Sequence, residues 1–96
     1  MSNYDLLVEE EALEFITGLD EKSERICKDN IGQLAEDPYP GRGKGDKEKL
    51  VVDGEEVYRL HIGRTFTAFY EILEDEEAVR VLEVLPIDEA HDRYGY

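Results

Sequence analysis

The sequence predicts an α+β fold in which an N-terminal strand and a two-helix hairpin pack on an antiparallel β-sheet. The prediction rests on a change of period along the chain. Apolar residues recur at helical spacing from Ala12 to Leu34, then at a spacing of two from Tyr58 onward. Turn residues punctuate both halves, with Asp37-Pro38-Tyr39-Pro40-Gly41 between them. Ninety-six residues allow one domain, taken here as 1–96.

Tyr4 to Val8 reads as a short strand. Ala12, Phe15, Ile16 and Leu19 then form the stripe of an amphipathic helix. Glu9, Glu10 and Glu11 occupy its start, where the helix dipole favours negative charge. Gly18 and Asp20 mark a break, and Asp20 is placed to cap a second helix. That helix carries Cys27, Ile31 and Leu34 on one face and must stop before Pro38. Leu50-Val51-Val52 is an apolar run closed by the hairpin dipeptide Asp53-Gly54. In the next strand Tyr58, Leu60 and Ile62 fall on one face and Val57, Arg59 and His61 on the other. Gly63-Arg64-Thr65 is a turn, and Phe66 to Leu73 is rich in aromatic and β-branched residues. Glu74 to Glu77 reads as a solvated turn, Ala78 to Leu85 as a strand and Pro86 as its end.

Charge narrows the function. The chain has 25 acidic against 11 basic side chains, a net charge of −14. Residues 42–64 hold six basic and five acidic residues, a sum of +1, so the other 73 residues hold −15. Phosphate contact rests on Lys and Arg, so if any part of the molecule meets a phosphate, this middle segment is the part expected to. The acidity fits either an ordinary solvated surface or a cytoplasm at molar salt, where the Debye length is about 3 Å. Apolar runs are too short for a membrane span, and the opening residues have no signal-peptide pattern. A cytoplasmic protein is expected. Cys27 has no second cysteine and reads as core. Two distant histidines give no metal-ligand spacing. Gly41-Arg42-Gly43-Lys44-Gly45 lacks the ending of a nucleotide-binding loop and reads as a flexible loop.

The stretch from Val57 through Tyr58-Arg59-Leu60-His61-Ile62-Gly63-Arg64 to Phe69-Tyr70-Glu71-Ile72 resembles the RelE/ParE toxin superfamily. The following acidic turn, the strand from Val81 and the segment ending His91-Asp92-Arg93-Tyr94 resemble its C-terminal half. The resemblance implies a toxin of a type II toxin–antitoxin pair with a cognate antitoxin as partner. One branch would bind the ribosome and cut mRNA without metal or cofactor; another would inhibit gyrase. It also implies a concave sheet face open to substrate. In the cutting branch Arg59, His61 and Tyr94 would be the catalytic candidates. Lys44, Lys47, Lys49, Arg64, His91 and Arg93 would be substrate-binding candidates. Thr67 stands where the family pattern has arginine, and Pro86-Ile87-Asp88-Glu89 where it often has a basic residue. These departures leave a non-catalytic, partner-binding protein as the alternative.

The residue types themselves suit RNA cleavage. Attack by a 2′-hydroxyl on the adjacent phosphorus needs a proton-transfer group and fixed positive charge at the phosphoryl oxygens. Arginine supplies fixed positive charge, and histidine can serve as acid or base, the roles for which Arg59 and His61 are candidates. The alternative role for Arg59 is an ion pair with Glu71 or Glu83 across the sheet, and Tyr39 is either packed or free.

Overall fold

The structure, a computed structural model, describes residues 3–41 and 46–94, with side chains described as far as residue 90. Strand β1 (Asp5–Val8) leads into α1 (Glu10–Thr17) and α2 (Glu21–Gly32), which closes in a 3₁₀ turn at Gln33–Ala35. Four strands follow: β2 (Asp46–Val52), β3 (Glu55–Ile62), β4 (Phe66–Leu73) and β5 (Ala78–Pro86). A helix α3 (Ile87–Tyr94) comes last. The sheet order is β1-β5-β4-β3-β2, with β1 parallel to β5 and the other pairs antiparallel.

The helical hairpin forms where the apolar stripe puts it. Ala12 and Ile16 of α1 and Cys27 and Ile31 of α2 are buried, followed by Leu34 in the 3₁₀ turn. Asp20 caps α2, its carboxylate accepting from the Ser23 backbone N–H at 3.2 Å. That bond, together with the Ser23 hydroxyl, holds the Asp20 carboxyl below its usual range. The stability from this cap is therefore present above the ordinary aspartate pKa and lost as pH falls through the lowered folded value. Asp20→Ala is expected to lower the melting temperature by a few degrees at neutral pH. The difference from wild type should close in strong acid, a comparison thermal unfolding at the two pH values makes directly.

Against these helices the sheet presents Tyr58, Leu60 and Ile62 of β3, Ala68 and Tyr70 of β4, and Val79, Val81 and Val84 of β5. The hairpin turn between β2 and β3 carries Asp53 at φ 52° and Gly54 at φ 83°, both left-handed as a two-residue hairpin requires. The register of β4 on β5 shifts between Phe69 and Tyr70. Phe69 pairs with Glu83 and Tyr70 with Val81, so Leu82 is the extra residue of a bulge.

Two boundaries differ from the sequence reading. Strand β2 starts at Asp46, ahead of the apolar run, because Lys47 finds a buried partner of its own. The segment after Pro86 is the helix α3, to which the sequence reading assigned no element. Pro86 followed by the acids Asp88 and Glu89 is an ordinary helix start. Ala90 of α3 is buried with Leu50, Val57 and Phe69 in a second apolar cluster, on the sheet face away from α1 and α2. The face expected to be open is thus partly covered.

The acids lie mostly at the surface, so self-repulsion acts across the whole fold. Raising KCl from about 0.1 to 1 M shortens the Debye length from about 10 to 3 Å. The melting temperature is expected to climb over that range, and a flat or falling dependence would show that surface repulsion does not limit stability.

Candidate functional site

Alternation along β3 sends Arg59 and His61 to the face that carries α3. Each lies in a cross-strand row. The first row runs Glu48, Arg59, Phe69, Glu83 from β2 to β5; the second runs Asp46, His61, Thr67, Leu85. Arg59 Nη2 donates to Glu48 Oε2, and the Arg59 side chain is only 12% exposed whereas that of Glu48 is 52% exposed. The guanidinium is therefore lodged in the sheet, and the carboxylate comes to it from the edge strand. Glu48 was not among the partners the sequence offered. Glu71 instead accepts from Arg80 Nη1 at 3.2 Å, while Arg80 Nε donates to Glu9 at 2.5 Å.

Sequence reasoning missed Glu48. Its signal was available: residues 46, 48 and 50 share a face by the period of two, and Leu50 belongs to the second cluster. The same parity separates two of the proposed substrate contacts from Arg59. Lys47 pairs in register with Leu60 and Lys49 with Tyr58, both on the helix side. Lys47 is buried, and its Nζ donates to the Asp37 carbonyl at 2.7 Å. Lys49 is bonded to Glu56 at 2.9 Å, which raises its pKa. Neither amine shares the face of Arg59 and His61.

The remaining candidates sit elsewhere. Arg64 is exposed in the β3–β4 turn and, with Thr65, Pro86, Ile87 and Asp88, lines a shallow depression of about 310 Å³. The Thr65 carbonyl accepts from Ile87 N–H at 3.0 Å, fixing the start of α3 beside that turn. His91, Arg93 and Tyr94 belong to α3, but their side chains lie outside the described residues, as does Lys44 altogether. Thr67 is buried beside His61 in the second row. Tyr39 is partly buried, its N–H bonded to Asp37 Oδ1 at 3.1 Å. Burial pushes the Cys27 thiol up, as suits a core residue. Among the described residues no cluster of His, Cys, Asp or Glu could hold a metal ion.

The loop before β2 is fixed from beneath. Tyr70 Oη donates to the Pro38 carbonyl at 2.6 Å, and Lys47 holds the adjacent Asp37 carbonyl. Burial, with Tyr58 and Asp37 nearby, raises the Tyr70 phenol, so it stays protonated and donates. These two side chains, both on the helix-side face, tie the Pro-rich loop to the sheet, and so set where β2 and Glu48 begin.

A helical hairpin on one face of a β1-β5-β4-β3-β2 sheet is the arrangement of the RelE toxin fold. The chain has that fold. It superposes on the RelE–RelB complex of Pyrococcus horikoshii with a TM-score of 0.72 at 22% identity, covering 90% of this chain and 96% of that one. A RelBE toxin–antitoxin complex of Mycobacterium tuberculosis gives 0.70 at 16% identity, covering 90% and 93%. The isolated RelE toxin of E. coli gives 0.58 at 20% identity, covering 94% and 97%. No family model matches the sequence, and no curated protein matches it significantly. No helix among the described residues is long and apolar enough to cross a membrane.

Proposed function

We propose that this chain is a RelE-like toxin of a type II toxin–antitoxin pair, held inactive by a cognate antitoxin. We further propose that it cuts mRNA on the ribosome without a metal. The observation that carries the reading is Arg59 and His61 on one sheet face, two residues apart on β3. That face is opposite the helical hairpin, and the three solved structures compared above are RelE toxins, two of them in complex with antitoxins.

In this reading the scissile phosphate lies over β3. A base takes the proton of the 2′-hydroxyl, whose oxygen then attacks phosphorus. The bond from phosphorus to the 5′-oxygen breaks, and that oxygen takes a proton, leaving a 2′,3′-cyclic phosphate. Arg59 stabilises the charge that builds on the phosphoryl oxygens, which its planar fork suits. His61 is the proposed proton-transfer group, since an imidazole can both accept and donate a proton. Arg64, at the turn next to His61, and the α3 residues His91, Arg93 and Tyr94 are the proposed further contacts.

A second reading, a partner-binding protein without nuclease activity, is favoured by the charge of the same face. Asp46, Glu48, Glu71 and Glu83 outnumber Arg59 and Arg80 there. Purified chain added to ribosomes programmed with a defined mRNA separates the two. Cuts within the coding region, resistant to EDTA and absent without ribosomes, support the nuclease. Intact mRNA with folded protein supports the second reading.

A further inference from the structure

We propose that Glu48 sets the affinity of Arg59 for phosphate, its carboxylate occupying the guanidinium that a nucleic-acid phosphate must take. The inference rests on the reading of Arg59 as the phosphate-binding group. Carboxylate and phosphate oxygens compete for the same planar fork of donors. The register places Glu48 directly across from Arg59, and its Oε2 accepts from Arg59 Nη2. The two partners are unequal in a way that suits displacement. Arg59 is fixed, 12% exposed on an inner strand with Phe69 as its neighbour in β4. Glu48 is 52% exposed on β2, a strand bonded to the sheet on one side only. Swinging the carboxylate out costs a rotamer change at the surface; moving the guanidinium would disturb the sheet.

No other residue of β2 compensates. Lys47 and Lys49 face the helix side, and Asp46, the other charged β2 residue on this face, sits across from His61, so Glu48 is the β2 charge directly opposite Arg59. Phosphate therefore binds the wild-type chain weakly, and its binding is a displacement of Glu48 as much as an occupation of Arg59.

The test uses the whole chain and a short fluorescein-labelled oligothymidylate, which has no 2′-hydroxyl and cannot be cut. Its dissociation constant is followed by anisotropy between about 50 and 200 mM salt. Glu48→Gln is expected to tighten binding about tenfold at the low end, within the worth of a charge-assisted hydrogen bond. It should also steepen the log–log salt dependence by about 0.7, the slope per phosphate contact on a single strand. Glu74→Gln makes the same charge change in the β4–β5 turn and should shift binding less than about twofold. Adding Arg59→Ala to Glu48→Gln should erase the gain. The proposal is overturned if Glu48→Gln binds no better than Glu74→Gln, whether or not wild type binds. Binding that is lost in Arg59→Ala yet unchanged in Glu48→Gln removes the competitor role and leaves the phosphate site. A gain in Glu48→Gln that survives Arg59→Ala overturns both.

Discussion

Replacing Arg59 by alanine is expected to lower mRNA cleavage by at least about 100-fold, the usual cost of removing a group that stabilises transition-state charge. The same change should cost only about 1 kcal/mol of stability. The ion pair with Glu48 is half solvated on the Glu48 side, and what remains is packing of the arginine stem. Arg59→Lys refines the test. It keeps a positive charge and an apolar stem but loses the fork, so activity should fall while the melting temperature holds. Single-turnover cleavage and thermal unfolding, run on the same preparations, check both. A loss of stability that accounts for all lost activity would make Arg59 a structural partner of Glu48.

The largest effect on stability is expected at Tyr70. It is fully buried, its ring stacks on Tyr58 at 5.4 Å, and its hydroxyl donates to the Pro38 carbonyl at 2.6 Å. Tyr70→Ala should cost about 3–5 kcal/mol, as truncating a buried aromatic does. That is a fall of at least roughly 12 °C for a domain of this size. Tyr70→Phe keeps the ring but leaves the buried carbonyl unmet, for about 1–3 kcal/mol. The pH dependence separates ring from hydroxyl. The folded phenol is raised by burial, so its contribution is whole below the unfolded tyrosine value of about 10 and is lost as pH rises beyond it. Wild type should therefore lose part of its advantage over Tyr70→Phe in alkaline solution, read by chemical denaturation on either side of that pH.

Much of the fold is legible in the sequence because both periods are clean. The stripe from Ala12 to Leu34 and the alternation from Val57 to Ile62 each mark a face that the sheet or the helices bury. Asp20 and the Asp53-Gly54 turn work through local backbone chemistry, which needs no knowledge of the rest of the chain. What escaped depends on distant partners. Lys47 reads as a surface charge until its amine is seen on a carbonyl ten residues earlier, and with it the true start of β2. The pairing of Arg59 with Glu48 requires the β2–β3 register, which a start at the apolar run leaves out. The helix α3 is short and mostly polar, and its buried Ala90 is intelligible only against Phe69 and Val57. In the candidate site, Arg59 and His61 share a face by spacing alone, whereas Lys47 and Lys49, assigned beside them, fall on the other side by the same rule.

The central claim is that this fold carries a toxin acting on mRNA, and induced expression of the chain alone tests it most directly. Growth and mRNA integrity would be followed together in a host with suitable intracellular salt. The expected result is growth arrest with mRNA cut inside coding regions, relieved by Arg59→Ala. Arrest with intact mRNA would contradict the nuclease and turn attention to gyrase. Normal growth with folded protein in the cell would contradict the toxin itself.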